Sequence, residues 1–112
     1  MNRDRKRELT AAYRERKARP GVFAVRCAAG GQVWVGSSRE LLNRQNGIWF
    51  SLRLGSSLNR TMQQAWRDHG EAAFVYEELQ VIDGEGLSTW SLDQALKDAA
   101  AAWRQQLAAA AA

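Results

Sequence analysis

Two short β-rich runs, Gly21-Val22-Phe23-Ala24-Val25-Arg26-Cys27 and Gln32-Val33-Trp34-Val35, flank the tetrapeptide Ala28-Ala29-Gly30-Gly31. β-Branched and aromatic residues favour extended backbone. Gly30-Gly31 can take the positive φ that a tight reversal needs. Together the three pieces predict an antiparallel hairpin. Gly36-Ser37-Ser38 follows at once, and either serine can cap a helix carrying Leu41, Leu42 and Arg44.

Around this hairpin the chain divides into further elements. Residues 2–18 read as a basic helix with a thin apolar stripe of Leu9, Ala12 and Tyr13, ended by Arg19-Pro20-Gly21. Asn46-Gly47 is expected to interrupt the helix after the hairpin. The apolar stretch Ile48, Trp49, Phe50, Leu52 and Leu54 is expected to be largely buried. Residues 58–69 predict another helix, with Met62, Ala65 and Trp66 on one face and Gly70 as its stop. Residues 74–82 predict a third strand whose alternation slips between Tyr76 and Leu79, which suits a bulge or a two-sided strand. Ser91 and Gln94 have the spacing of a capping box for a last helix to about Leu107. The fold class expected is α/β: a small three-stranded, antiparallel-type sheet flanked by helices, with an extra basic N-terminal helix. The divisions expected are that helix (1–19), the sheet domain (20–107) and an Ala-rich tail (108–112).

Charge narrows the partner. Residues 1–19 carry a net +5 and residues 21–70 a net +4, whereas residues 71–112 carry −5, within an overall +4. Basic charge at the front of the chain suggests an anionic polymer, with a solvated helix as the plainer alternative. No run of 18 apolar residues exists to span a membrane. The charged start lacks the apolar stretch of a secretory signal. The single Cys27 excludes an internal disulfide or a multi-cysteine zinc site and points to a reducing, cytoplasmic setting. His69, the single histidine, suits a helix end better than a catalytic triad.

The element order, with Gly21-Val22-Phe23, Trp34-Val35-Gly36, Asn43-Arg44, Leu52-Arg53-Leu54-Gly55-Ser56, Gln63-Gln64-Ala65-Trp66 and the His69-to-Phe74 block, resembles the GIY-YIG nuclease family. The resemblance covers roughly residues 21–82 well and the last helix poorly. It implies a phosphodiesterase that uses one divalent metal, Mg²⁺ or Mn²⁺, with DNA or RNA as partner. In that family a hairpin tyrosine orients water, a helix arginine neutralises the phosphate, and a glutamate on a later helix holds the metal. The chemistry is coherent, because cations on both sides of a phosphodiester stabilise its growing negative charge.

Carried over residue by residue, the family's catalytic positions fall on Phe23, Trp34 and Arg44. Arg44 keeps the planar fork that grips a phosphate; its plainer role is a surface pair with Glu40. Phe23 and Trp34 lack the tyrosine hydroxyl, and neither can relay a proton as a phenol does. Phe23 suits the core, while Trp34 suits either the core or a stacking platform for bases. Arg44, Trp34, Arg53 and Arg26 are the candidate nucleic-acid contacts. Aligned on Trp103, the metal-binding glutamate is replaced by Ala100. Asp98, the nearest carboxylate, falls on the other side of the helix. The implied function is a domain that engages the nucleic-acid backbone with weak or lost catalysis. The alternatives are a metal-dependent endonuclease with a displaced ligand, and a protein-interaction module using the acidic C-terminal third or Trp90.

Overall fold

The computed structural model describes residues 19–112; the basic helix expected over residues 2–18 lies outside them. The sheet has the order β3-β1-β2-β4. β1 (Gly21–Cys27) and β2 (Gln32–Ser38) form the expected antiparallel hairpin, turned by Gly31 at φ +69°. β3 (Phe74–Val81) pairs antiparallel with the other edge of β1. Val22 pairs with Gln80 but Phe23 pairs with Glu78, so Leu79 is the extra residue of a bulge. That bulge lies where the alternation of apolar residues slips. The Ala-rich tail adds a fourth strand absent from the sequence reading: β4 (Ala110–Ala111) runs parallel to β2.

Helices cover both faces of the sheet, so central β1 is an almost continuous apolar run. Phe23, Val25, Cys27 and Trp34 face α1 (Leu41–Leu54) and α2 (Arg60–His69), where they pack with Leu41, Trp49, Leu52 and Met62. Val22, Ala24 and Val35 face the other way and pack against Ala100 of α3 (Thr89–Leu107). Close approach explains Gly21: a Cβ there would lie 2.0 Å from the Gln80 carbonyl oxygen and 2.6 Å from a Leu41 methyl.

Several local expectations are corrected. α1 runs through Asn46-Gly47 unbroken. An interior glycine costs about 1 kcal/mol, and burial of Leu41, Trp49 and Leu52 outweighs it. Phe50 and Leu54 are exposed rather than buried, being on the outer side of that helix. Ser38 does not cap α1 directly; its Oγ accepts from the Glu40 N–H at 3.0 Å, one residue upstream. α2 starts at Arg60 because the Asn59 side chain accepts from the Met62 N–H, leaving Leu58 outside the helix and fully exposed. The cap of α3 is Ser88, whose Oγ accepts from the Ser91 N–H at 3.1 Å, so the Ser91–Gln94 box is not used. Among the described residues no helix is long and apolar enough to cross a membrane.

Candidate nucleic-acid interface

α1 presents Arg44 one turn into the helix, with its side chain exposed. Its guanidinium carbon lies 5.8 Å from the centroid of the Phe23 ring, a cation–π contact that holds the arginine over the first motif strand. Among the described residues Arg44 has no salt bridge, and the plainer pairing with Glu40 does not form.

The other arginines differ. Arg53 forks onto Glu71, Nε to Oε1 at 2.7 Å and Nη2 to Oε2 at 3.0 Å. That hydrogen-bonded pair raises the guanidinium pKa and lowers the carboxyl pKa. Arg26 donates to Glu77 at 3.1 Å, and strand alternation puts it on the α3 face with Val22 and Ala24. Arg19 pairs with Glu78, and Arg39 with Asp93. Of the predicted nucleic-acid contacts, Arg53 and Arg26 are therefore already matched with internal anions, and Arg26 lies across the sheet from Arg44.

Trp34 resolves to the core. It is 1% exposed and stacks on Phe74 at 6.0 Å and 11°. A base cannot reach its ring faces, so its reading as a stacking platform is corrected. Its Nε1–H donates to Thr61 Oγ1 at 2.9 Å, and that hydroxyl donates to Asn59 Oδ1 at 2.9 Å. The indole thus ties β2 to the capped start of α2. Phe23 is equally buried, stacked on Tyr76 at 5.4 Å and 20°. Tyr76 is the phenol beside these positions among the described residues, and only its place in a strand marks it in the sequence. Its hydroxyl donates to the Leu41 carbonyl at 3.1 Å. Burial chiefly, with Glu78 adding, pushes its pKa up to about 12, against a smaller opposing effect of Arg44. A phenol so held is protonated and poorly suited to be a base.

Ala100 is 2% exposed against Val22, Ala24 and Val35, on the sheet face opposite Arg44. Asp98 is exposed on α3, as its helical phase requires. Among the described residues no three His, Cys, Asp or Glu side chains are grouped to hold a metal. The described residues do not fit the divalent metal that the fold family implies.

Beside Arg44 the surface opens into a cleft of about 620 Å³ between α1, α2 and the loop joining them. Arg44, Ile48, Ser51, Ser57, Arg60 and Thr61 are among its lining residues, with Ala112 of the tail, and among the described residues no Asp or Glu lines it. Arg60 was missed in the sequence; its signal was a basic residue opening a helix with no acid in the first turn.

No family model matches the chain, and no curated protein does. Among solved structures it is similar to the catalytic domain of intron endonuclease I-TevI in a glutamate-to-alanine variant, with a TM-score of 0.67 and 20% identity. That match covers 80% of this chain and 84% of the other. A second structure, of the catalytic domain of homing endonuclease I-TevI, matches with a TM-score of 0.66 and 18% identity, covering 79% of this chain and 87% of the other. Identity at this level speaks for the fold alone. With hairpin, arginine helix and third strand in the expected order, the chain has a GIY-YIG-like nuclease fold.

Proposed function

We propose that this domain engages the phosphodiester backbone of nucleic acid through Arg44 and has weak or lost cleavage activity. The observation that carries the reading is Arg44 itself: exposed, held over Phe23, without an anionic partner among the described residues, and lining a cleft to which no described Asp or Glu side chain contributes. A guanidinium in that state is ready to fork onto phosphate oxygens. The reading of weak catalysis is supported by two positions: Phe23 and Trp34 offer no phenol. DNA and RNA share the phosphodiester chemistry, so Arg44 does not choose between them.

The test is cleavage and binding of end-labelled single- and double-stranded DNA and RNA, with Mg²⁺, Mn²⁺ or chelator, by the parent chain and Arg44→Ala. Binding that falls steeply with salt and weakens in the variant, without cutting, is expected. Metal-dependent cutting lost in Arg44→Ala would establish the endonuclease alternative. Absence of any binding would remove the nucleic-acid reading and turn attention to Trp90, which is 71% exposed at the start of α3.

A further inference from the structure

Of the described Arg and Lys side chains without a carboxylate partner, Arg67, Lys97 and Arg104 lie outside the cleft, whereas Arg44 and Arg60 share it. Arg19, Arg26, Arg39 and Arg53 each have a carboxylate within 3.4 Å. The two arginines lining the cleft, Arg44 and Arg60, have none among the described residues. They approach it from different elements, Arg44 from α1 and Arg60 from the first position of α2. Arg60 adds positive charge at the helix end already made positive by the peptide dipoles, and the first turn has no acid to offset it. Ser51, Ser57 and Thr61 also line the cleft, and no described Asp or Glu side chain opposes an incoming anion. We infer that the cleft is a track for consecutive phosphates of one nucleic-acid strand, with Arg60 a second phosphate contact beyond Arg44. This inference rests on the backbone-binding function proposed above and adds where the strand runs: across the α1–α2 cleft, away from the sheet face of Arg26 and the Arg53–Glu71 pair.

The framework suits that role. The Trp34–Thr61–Asn59 hydrogen-bond chain fixes the start of α2 relative to β2, so the Arg60 backbone is held from the core while its side chain stays exposed. A cleft of about 620 Å³ lies within the roughly 300–1,000 Å³ typical of ligand sites.

The experiment measures binding of the full chain to fluorescent single- and double-stranded oligonucleotides over a salt series. The variants are Arg44→Ala, Arg60→Ala, Arg60→Lys and Arg67→Ala. Arg67 is an exposed arginine in the last turn of the same helix, outside the cleft, and serves as a charge-matched control. Arg60→Ala is expected to lower the slope of log affinity against log salt by about 0.7 on single strands or 0.9 on duplex. The loss should be uniform across sequences, as for a phosphate contact. Arg60→Lys should retain the slope, which separates a charge contact from damage to the fold. Circular dichroism of each variant should match the parent. If Arg44→Ala weakens binding but Arg60→Ala behaves like Arg67→Ala, the track is wrong and the Arg44 reading stands. If the parent chain binds no oligonucleotide, both fall together.

Discussion

A glutamate at the position that aligns with the family's metal ligand, Ala100→Glu, should damage this protein rather than revive it. Ala100 is 2% exposed and packs on Val22, Ala24 and Val35, with the sheet between it and Arg44; Arg104, four residues on, already donates to the Val35 carbonyl at 3.3 Å. A carboxylate there has two options, ionised and drawing Arg104 away from that carbonyl, or protonated. Protonation caps the electrostatic cost: bringing a group of ordinary pKa near 4.3 to its neutral form at pH 7 costs about 3.7 kcal/mol. Forcing the larger side chain between α3 and the sheet adds roughly 1–3 kcal/mol. The sum, about 5–7 kcal/mol, is comparable with the whole stability of a domain this size. The sign of its pH dependence is fixed. The folded-state pKa is raised, so the penalty grows as pH rises above the unfolded value and recedes below it. At pH 5 the electrostatic part falls to about 1 kcal/mol. Urea unfolding followed by tryptophan fluorescence should therefore show a deficit that shrinks by about 2.7 kcal/mol between pH 7 and pH 5. A variant as stable as its parent at pH 7, or one that gains Mn²⁺-dependent cutting, would refute the placement of Ala100.

Trp34→Phe should cost about 2–3 kcal/mol in urea unfolding, from the lost indole volume at a 1%-exposed site and the lost bond to Thr61. Oligonucleotide affinity should fall less than in Arg44→Ala, since the ring touches no ligand; a greater fall would make the indole a direct contact. Tyr76, held protonated to about pH 12, should make stability fall as pH rises from about 10 to 12, because the folded state then retains a proton that the unfolded chain releases. The loss, discounted for its half-exposed setting, is on the order of 1 kcal/mol. It should vanish in Tyr76→Phe; a loss of equal size in both proteins would assign it elsewhere.

The hairpin was legible because its signal is local: glycines between two β-rich runs need no tertiary partner. The bulge was legible too, because a slip in period two can be read along one strand. What failed was whatever depended on elements meeting in space. Asn46-Gly47 has a breaker's sequence, yet Trp49 and Leu52 bury beyond it and carry the helix through. Phe50 and Leu54 were assigned to the core by hydrophobicity alone, and helical phase puts them in solvent. The tail of alanines gave no strand signal, since β4 exists only because the edge of β2 is there to pair with. Of the two proposed phosphate contacts, Arg44 came from the family resemblance, whereas Arg60 matched no motif, because the cleft it lines forms only once α1 and α2 are folded.

The altered motif positions have taken on packing duties, and this yields a test at Phe23. Its Cζ lies 2.8 Å from the point a Gly36 Cβ would occupy, and the Ala112 Cβ lies 3.0 Å from that same point. A hydroxyl added to Cζ enters space bounded by Gly36 and the chain that follows β4. Phe23→Tyr in the full chain should therefore cost about 1–3 kcal/mol, as overpacking does. The cost should depend on the tail, because β4 is two exposed residues long and is held by few bonds, among them Asn59 Nδ2–H to the Ala111 carbonyl and Ala112 N–H to the Val35 carbonyl. Ending the chain at Ala109 opens that space. A double-mutant cycle of Phe23→Tyr with this truncation should show a favourable coupling of about 0.5–1 kcal/mol in urea unfolding. Strict additivity would mean that the phenol has room beside the tail, and that tail packing is not why this position accommodates phenylalanine. Neither variant should cut nucleic acid, since a phenol restored at Phe23 gains no grouped metal ligands among the described residues.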